Sequence, residues 1–252
     1  MGKFAAVILA GGKGTRLAQM KLELPKALVA LDGKPLLEWI ISWTKIAVSE
    51  VIVAGGKNPE SFSTNFESNP LVTSDPEVGT GRALLNAALR TDADHIIVCN
   101  ADTINDLDLS ALLYQHSLFG KGATIALTRR RDAQNAAAFA VAADGQILRS
   151  KEDLQPTGSV NPYTQWRGAS TGVMIIPRIA LLDARIETAL SLEQEIVPHL
   201  IDSVGLFAFD NGNRLCLDIG EPERLKLMEN NQEKLSEIFR NLQTKKTCKS
   251  PK

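Results

Sequence analysis

At 252 residues, with 44% hydrophobic and 23% charged side chains, the chain has the make-up of an ordinary globular protein and the length of one α/β domain with embellishments, enough to bury roughly three quarters of its unfolded surface. A net charge of −1 provides no field for nucleic acid or an anionic membrane, so any anionic ligand must be held by local cations. No apolar stretch approaches the ~20 residues that span a bilayer, and the opening run, which stops at Gly11-Gly12, is too short for a signal-peptide core.

In chain order, Phe4–Ala10 reads as a buried strand, Leu36–Val48 as a helix entered through Pro35, and Glu50–Ala54 as the next strand, with Asp32-Gly33 forming a hairpin turn. Leu71–Ser74 (strand), Arg82–Arg90 (helix), His95–Cys99 (strand), Leu109–Phe119 (helix) and Thr124–Thr128 (strand) continue the alternation. Strands separated by helices of about ten residues or more make βαβ units on a parallel sheet. The unbroken apolar runs AAVILA and HIIVC suit strands covered by helices on both faces. From Phe139 the pattern changes. Phe139–Ala142, Ile147–Arg149 and Val173–Ile176 are strand-like and separated by turn residues, as in a more antiparallel, substrate-facing part. Ser191-Leu-Glu-Gln194 is a capping box opening a helix to about Ile201. Leu206–Phe209 and Arg214–Leu217 read as strands, and Glu221–Leu242 as one long amphipathic helix begun by Pro222. Thr244–Lys252 is basic and apolar-poor, as in a frayed tail. The expected fold is thus α/β and Rossmann-like: a mixed, mainly parallel sheet flanked by helices, with a smaller antiparallel part, in one domain over residues 1–243. Three cysteines (Cys99, Cys216, Cys248) without zinc-like spacing point to a reducing, cytoplasmic compartment. The histidines His95, His116 and His199 are scattered and suggest neither a triad nor a zinc set.

The strongest local signal is Gly11-Gly12-Lys13-Gly14-Thr15-Arg16, directly after the first strand. Glycines let the backbone turn and bring N–H groups close to phosphate oxygens. A Walker A loop would need Gly-Lys-Ser/Thr four residues beyond its first glycine, where Arg16 and Leu17 stand, and a dinucleotide fingerprint beginning at Gly12 fails at Leu17. A loop whose amides surround a triphosphate does fit, with Lys13 and Arg16 adding charge and Lys26, presented by Pro25, adding a further cation. This run, followed by Pro25-Lys26, resembles the signature of the sugar-1-phosphate nucleotidylyltransferases, and the likeness extends from Ala6 to about Leu225. The resemblance implies that the loop binds the NTP, Arg16 contacts its β and γ phosphates, and Lys26 neutralises the α-phosphate. It also implies an NTP-binding half over about residues 1–130 and a sugar-phosphate half over about residues 131–220.

Two aspartates stand at strand ends: Asp102 after His95–Cys99, and Asp218 after Arg214–Leu217. The carboxyl ends of parallel strands form the ligand-binding edge of such a sheet, and Mg²⁺ takes one or two carboxylates plus phosphate oxygens and waters. The resemblance assigns both to metal; its usual Gly-Asp is Ala101-Asp102 here. Gly79-Thr80-Gly81, ahead of a helix, would let a flat base approach the backbone, with Gly55-Gly56 as the opposite wall and Glu77, Asp75 or a backbone carbonyl as acceptor for a guanine. Counterparts of the family's Glu-Lys pair and Asn-Ala-Gly segment are Lys151-Glu152, in reversed order, and Ser170-Thr171-Gly172, without the asparagine. Lys151 and Arg167 are candidates for the acceptor's phosphate, Arg167 closing the loop Gly158–Arg167 that also holds Tyr163 and Trp166. Ser191-Leu192-Glu193 and Asp218-Ile-Gly220-Glu-Pro222 look like the heptose-1-phosphate guanylyltransferase branch, with mannose-1-phosphate enzymes near it; these segments are read as helix and packing positions.

What the resemblance implies is an enzyme that condenses an NTP, with GTP favoured, and a sugar 1-phosphate into an NDP-sugar and pyrophosphate with Mg²⁺. Its partners are those substrates, with no nucleic acid, no membrane, and a homodimer as an admissible assembly. A cytidylyltransferase for a phosphonate or amino-alcohol phosphate and a non-catalytic nucleotide sensor are the rival readings.

Overall fold

A computed structural model of the chain describes residues 2–11, 25–56, 59–62, 66, 70–74, 79–120, 122–130, 138–148 and 162–244. The first half runs β1 (Phe4–Leu9), β2 (Ala30–Leu31), β3 (Lys34–Pro35), α1 (Leu36–Thr44), β4 (Glu50–Ala54), β5 (Leu71–Thr73), α2 (Thr80–Ala88), β6 (His95–Asn100), β7 (Thr103–Asn105), α3 (Leu109–Leu118) and β8 (Ala123–Thr128). The second runs β9 (Ala138–Val141), β10 (Ile147–Leu148), β11 (Trp166–Pro177), α4 (Arg178–Leu181), α5 (Val197–Ser203), β12 (Leu206–Asp210), β13 (Cys216–Asp218), α6 (Pro222–Glu229) and α7 (Gln232–Thr244).

A nine-stranded sheet forms the centre. Strands β5, β4, β1 and β6 are parallel neighbours, while β11 lies antiparallel to β6 and carries both β8 and β9. Residues 5 to 8 of β1 have no solvent exposure. Ala6 and Ile8 enter a core shared with α1, α3, α6 and α7, and Ala5 and Val7 enter one shared with α2 and α5. That two-sided burial is why the strand is apolar throughout instead of alternating. No helix among the described residues is long and apolar enough to cross a membrane.

The Asp32-Gly33 turn is a tight hairpin with both residues in the left-handed region, at φ 53° and 75°, the geometry that matches strand twist. Its tip anchors α7: the Asp32 carboxylate accepts from Ser236 Oγ at 2.9 Å and pairs with Arg240, and the Asp32 N–H donates to Gln232 Oε1 at 3.1 Å. Trp39 of α1 stacks on Phe239 at 5.8 Å between centroids.

Several expectations are corrected. The helix expected over Glu221–Leu242 is two, α6 and α7, parted at Asn230-Asn231, where Asn231 Nδ2 donates to Leu227 O at 2.8 Å and satisfies a C-terminal carbonyl. Strand β11 has twelve residues where only Val173–Ile176 reads as strand, because its first part pairs with β9 and its last with β6, across an irregularity between Ser170 and Met174. Ser191 does cap its helix, accepting from Gln194 N at 3.1 Å. The reciprocal partner, however, is Glu195, whose Oε2 accepts from Leu190 N and Ser191 N at 2.8 Å each. The turn Leu192–Ile196 is a π-turn leading into α5; Pro198 has no N–H to bond back to Gln194, and the turn ahead of it widens. The tail 245–252, including Cys248, lies outside the described residues.

Two of the histidines meet. His116 Nε2 lies 3.1 Å from His95 Nδ1, His116 Nδ1 lies 2.8 Å from Thr124 Oγ1, and Phe4 stacks on His95 at 5.0 Å. Burial first, then the neighbouring His95, pushes His116 down to about 4. Burial also lowers His95, against an opposing pull from Asp94. A histidine held neutral in the fold contributes stability that is present above its unfolded value near 6.5 and lost as pH falls towards 4. Denaturant unfolding from pH 7 to pH 4 should therefore show a loss on the order of 2–3 kcal/mol that the His116→Gln variant does not show.

Candidate active site

Strands β1 and β6 end side by side: Leu9 is in register with Asn100, and Ala101 N donates to Leu9 O at 3.2 Å. Gly11 therefore leaves the sheet at the same edge as Asp102. There it packs backbone to backbone on β4's continuation, where a Cβ on Gly11 would sit 2.6 Å from Gly56 Cα. Gly55 is hemmed by Phe62 and Pro59, at 2.9 and 3.1 Å from its would-be Cβ. Both glycines are thus required by close approach. Gly12, Lys13, Gly14, Thr15 and Arg16, and equally Asp75 and Glu77, lie outside the described residues.

Beyond β6 the chain turns through Ala101-Asp102 into β7, and β13 pairs antiparallel with β7, placing Asp218 opposite Thr103. Ile219 N donates to Asp102 O at 2.9 Å. Two carboxylates 116 residues apart in sequence (218 − 102) thereby come to one place. Lys26 arrives from the other side on a short 3₁₀ turn, Lys26–Leu28, seated by buried Ala27. Its Nζ lies 3.7 Å from Asp102 Oδ2 and 3.5 Å from Gly220 O. Gly220 is the floor of this cluster: a Cβ there would stand 2.8 Å from Asp218 Oδ1 and 3.0 Å from Lys26 Nζ, and its N–H donates to Asp218 Oδ1 at 2.6 Å. Burial raises Asp102 above the usual carboxylate range, the charge of Asp218 raises it further, and Lys26 opposes both. No group of three or more His, Cys, Asp or Glu gathers among the described residues. The pair can still serve an ion that draws its other oxygens from water and phosphate, as Mg²⁺ does, and the ammonium beside it suits a phosphoryl oxygen.

Next to this cluster opens a small, partly open pocket, with Asn100, Ser170, Gly172 and Glu193 among its lining. Gly172 adopts φ +74°, and a Cβ would meet Asn100 Nδ2 at 2.8 Å. The segment is pinned by Thr171 Oγ1 donating to Ala126 O and by Asn105 Nδ2 donating to Thr171 O, both at 3.0 Å. Arg167 pairs with Ala140 three residues back along β11 and is not part of that lining. Lys151 and Glu152 lie outside the described residues.

Gly79 and Gly81 also pack closely on a neighbouring segment. A Cβ on Gly79 would lie 2.1 Å from Leu190 O, and one on Gly81 2.9 Å from Ser191 N, while Gly81 N donates to Leu190 O at 2.9 Å. Thr80 ties the same two segments: its Oγ1 accepts from Leu192 N at 3.0 Å and donates to Glu193 Oε2 at 3.4 Å. Sequence reasoning missed three groups: Asn100, Glu193 and Gly220. Asn100 and Gly220 sit inside segments already singled out for their aspartates, so proximity was a usable signal. Glu193 was masked by the capping pattern around it.

The family model of the MobA-like NTP transferase domain matches residues 6–163. D-glycero-alpha-D-manno-heptose 1-phosphate guanylyltransferase of Aneurinibacillus thermoaerophilus is 29% identical over 227 residues, covering 86% of this chain and 94% of the relative. Mannose-1-phosphate guanylyltransferase catalytic subunit beta of Xenopus tropicalis is 30% identical over 235 residues and covers 86% of this chain, which spans 61% of that relative's length. Among solved structures, HddC of Yersinia pseudotuberculosis complexed with GMP-PN superposes with a TM-score of 0.69 at 23% identity, covering 90% of this chain and 98% of the other. The inositol-1-phosphate CTP transferase of T. maritima gives 0.70 at 18%, covering 97% and 98%. These two superpositions speak for the fold.

The glycine contacts separate packing from chemistry. Gly79→Ala drives a methyl into backbone and should cost about 1–3 kcal/mol. Gly220→Ala meets only the ends of the Lys26 and Asp218 side chains and should leave the melting temperature near wild type. Thermal denaturation of the two variants checks this; equal destabilisation would contradict the placement of Gly220.

Proposed function

We propose that this chain, which belongs to the MobA-like NTP transferase domain family, condenses GTP with a sugar 1-phosphate to give an NDP-sugar and pyrophosphate. The observation that carries the reading is the meeting of Lys26, Asp102 and Asp218 at the carboxyl edge of the parallel strands. The names of the relatives support the choice of GTP and of a sugar 1-phosphate as acceptor.

Both reactants are anions, so the catalytic problem is charge neutralisation and alignment, with little acid–base work. An oxygen of the acceptor phosphate attacks the α-phosphorus of GTP in line; the new P–O bond forms as the bond to the β-phosphate oxygen breaks, and the electron pair leaves with pyrophosphate. Lys26 stabilises the charge that builds on the α-phosphoryl oxygens. Arg16 and Lys13 neutralise the departing pyrophosphate, and the amides of Gly11, Gly12, Gly14 and Thr15 cradle the triphosphate. Gly55 and Gly79-Thr80-Gly81 flank the nucleoside. Lys151, Glu152, Arg167 and Gly172 attend the acceptor.

Asp102 and Asp218 would hold Mg²⁺. Their donor set fits: two carboxylate side chains, of which Asp102 is raised by burial first and then by the charge of Asp218, beside an ammonium and not a third carboxylate. When bound, the ion supplies positive charge to phosphate oxygens. A cytoplasmic setting goes with this reading, on the cysteine pattern of the sequence.

A pyrophosphate-release screen of four NTPs against sugar 1-phosphates, phosphonates and amino-alcohol phosphates tests the assignment. It should give GTP with a sugar 1-phosphate as the productive pair. Lys26→Ala and Asp218→Ala should each lower turnover by ~10²–10³-fold while circular dichroism and melting temperature show a folded protein. Near-wild-type turnover in either variant contradicts its assigned role.

A further inference from the structure

The pocket beside Asn100 has two unlike ends. Its polar side chains, Asn100, Ser170 and Glu193, are half-buried or exposed. The remaining lining includes Val98, Ile125, Met174 and Val197, which are 1%, 1%, 6% and 4% exposed and share the core on α5's side of the sheet. The cavity therefore runs from a hydrogen-bonding mouth at the strand ends into an aliphatic end between the sheet and α5. Thr80 donates to the Glu193 carboxylate at 3.4 Å, which ties the carboxylate at this mouth to the start of α2.

We propose that the acceptor of this enzyme is a deoxygenated sugar phosphate, whose methyl or methylene edge fills the aliphatic end while its remaining hydroxyls donate to Glu193. This rests on the nucleotidyl-transfer reading above and narrows its acceptor. A hydroxyl carried into the aliphatic end loses its water and gains no partner, which is unfavourable, whereas a CH₃ or CH₂ there leaves water favourably. At the mouth, a carboxylate can only accept, so it selects hydroxyl donors and repels a second anionic group on the acceptor. The acceptor's phosphate is thereby turned away from Glu193 and towards the ammonium of Lys26, which stands beside Asp102.

The test is a series of sugar 1-phosphates in which one hydroxyl at a time is replaced by hydrogen. Each is assayed with GTP and Mg²⁺ for pyrophosphate and titrated separately by calorimetry without nucleotide. At least one deoxy member should exceed its parent in kcat/KM by ~10–10²-fold. Val197→Thr, which puts a hydroxyl of the same shape into the aliphatic end, should bring that ratio towards one. Parents that outrank all of their deoxy members overturn the inference, as does an unchanged ratio in folded Val197→Thr; should that variant not fold, the wild-type series decides alone. If deoxy members bind more tightly than their parents but no acceptor yields pyrophosphate, the transfer reading fails and the pocket's preference stands. If no sugar phosphate binds, both fall.

Discussion

The pairing of β13 with β7 is the constraint on which the rest depends. It is a short ladder, Cys216 to Asp218 against Thr103 to Asn105, yet it fixes a carboxylate from late in the chain beside one at the end of a central strand. Partial burial, and after it the like charge of Asp218, shows in the raised Asp102. Lys26 offsets part of it at 3.7 Å. A cluster of this kind, neither neutral nor saturated, is poised for a polyanion and a cation to arrive together. Purely structural ion pairs do not need a glycine floor cleared for both charged groups, as Gly220 provides.

The second half of the molecule works through the same strands. β7 reaches β11 by Asn105, whose amide donates to the Thr171 carbonyl, so the ladder that sets Asp218 also steadies the irregular stretch of β11 lining the neighbouring pocket. On the opposite wall, Thr80 links the start of α2 to Leu192 and Glu193. The start of α2 and the segment leading into α5 are thus joined by direct hydrogen bonds. α7, locked onto the Asp32-Gly33 hairpin and Trp39, closes the far face and leaves the strand edge open.

Much of the fold was legible because two-sided burial writes itself into composition. Phe4–Leu9 is apolar end to end, Glu50–Ala54 and His95–Asn100 are apolar between polar ends, and their limits are legible to within a residue. β11 was legible only where it lies against β6; its earlier half, Trp166 to Gly172, carries polar and small residues whose strand character comes from its pairing with β9 and β8, a long-range fact. The break between α6 and α7 escaped because hydrophobic periodicity continues across Asn230-Asn231, and only the side-chain bond to Leu227 shows why the helix stops. Of the candidate site, Asp102 and Asp218 are legible by residue type at strand ends, and Lys26 by its place after Pro25 in the signature that follows the glycine loop. Gly79 and Gly81 were noticed for the right property and given an incomplete reason, since a sequence cannot show that Leu190 occupies the space beside them. The meeting of His95 and His116 was equally out of reach, being made by strand order and not by spacing.

The most direct measurement of the central claim is a crystal of the protein with a non-hydrolysable GTP analogue and Mn²⁺, with anomalous scattering used to locate the ion. The account places the peak between the Asp102 and Asp218 carboxylates, with the α-phosphate within hydrogen-bonding reach of Lys26 Nζ. An ion bound elsewhere, or an α-phosphate turned away from Lys26, would contradict it.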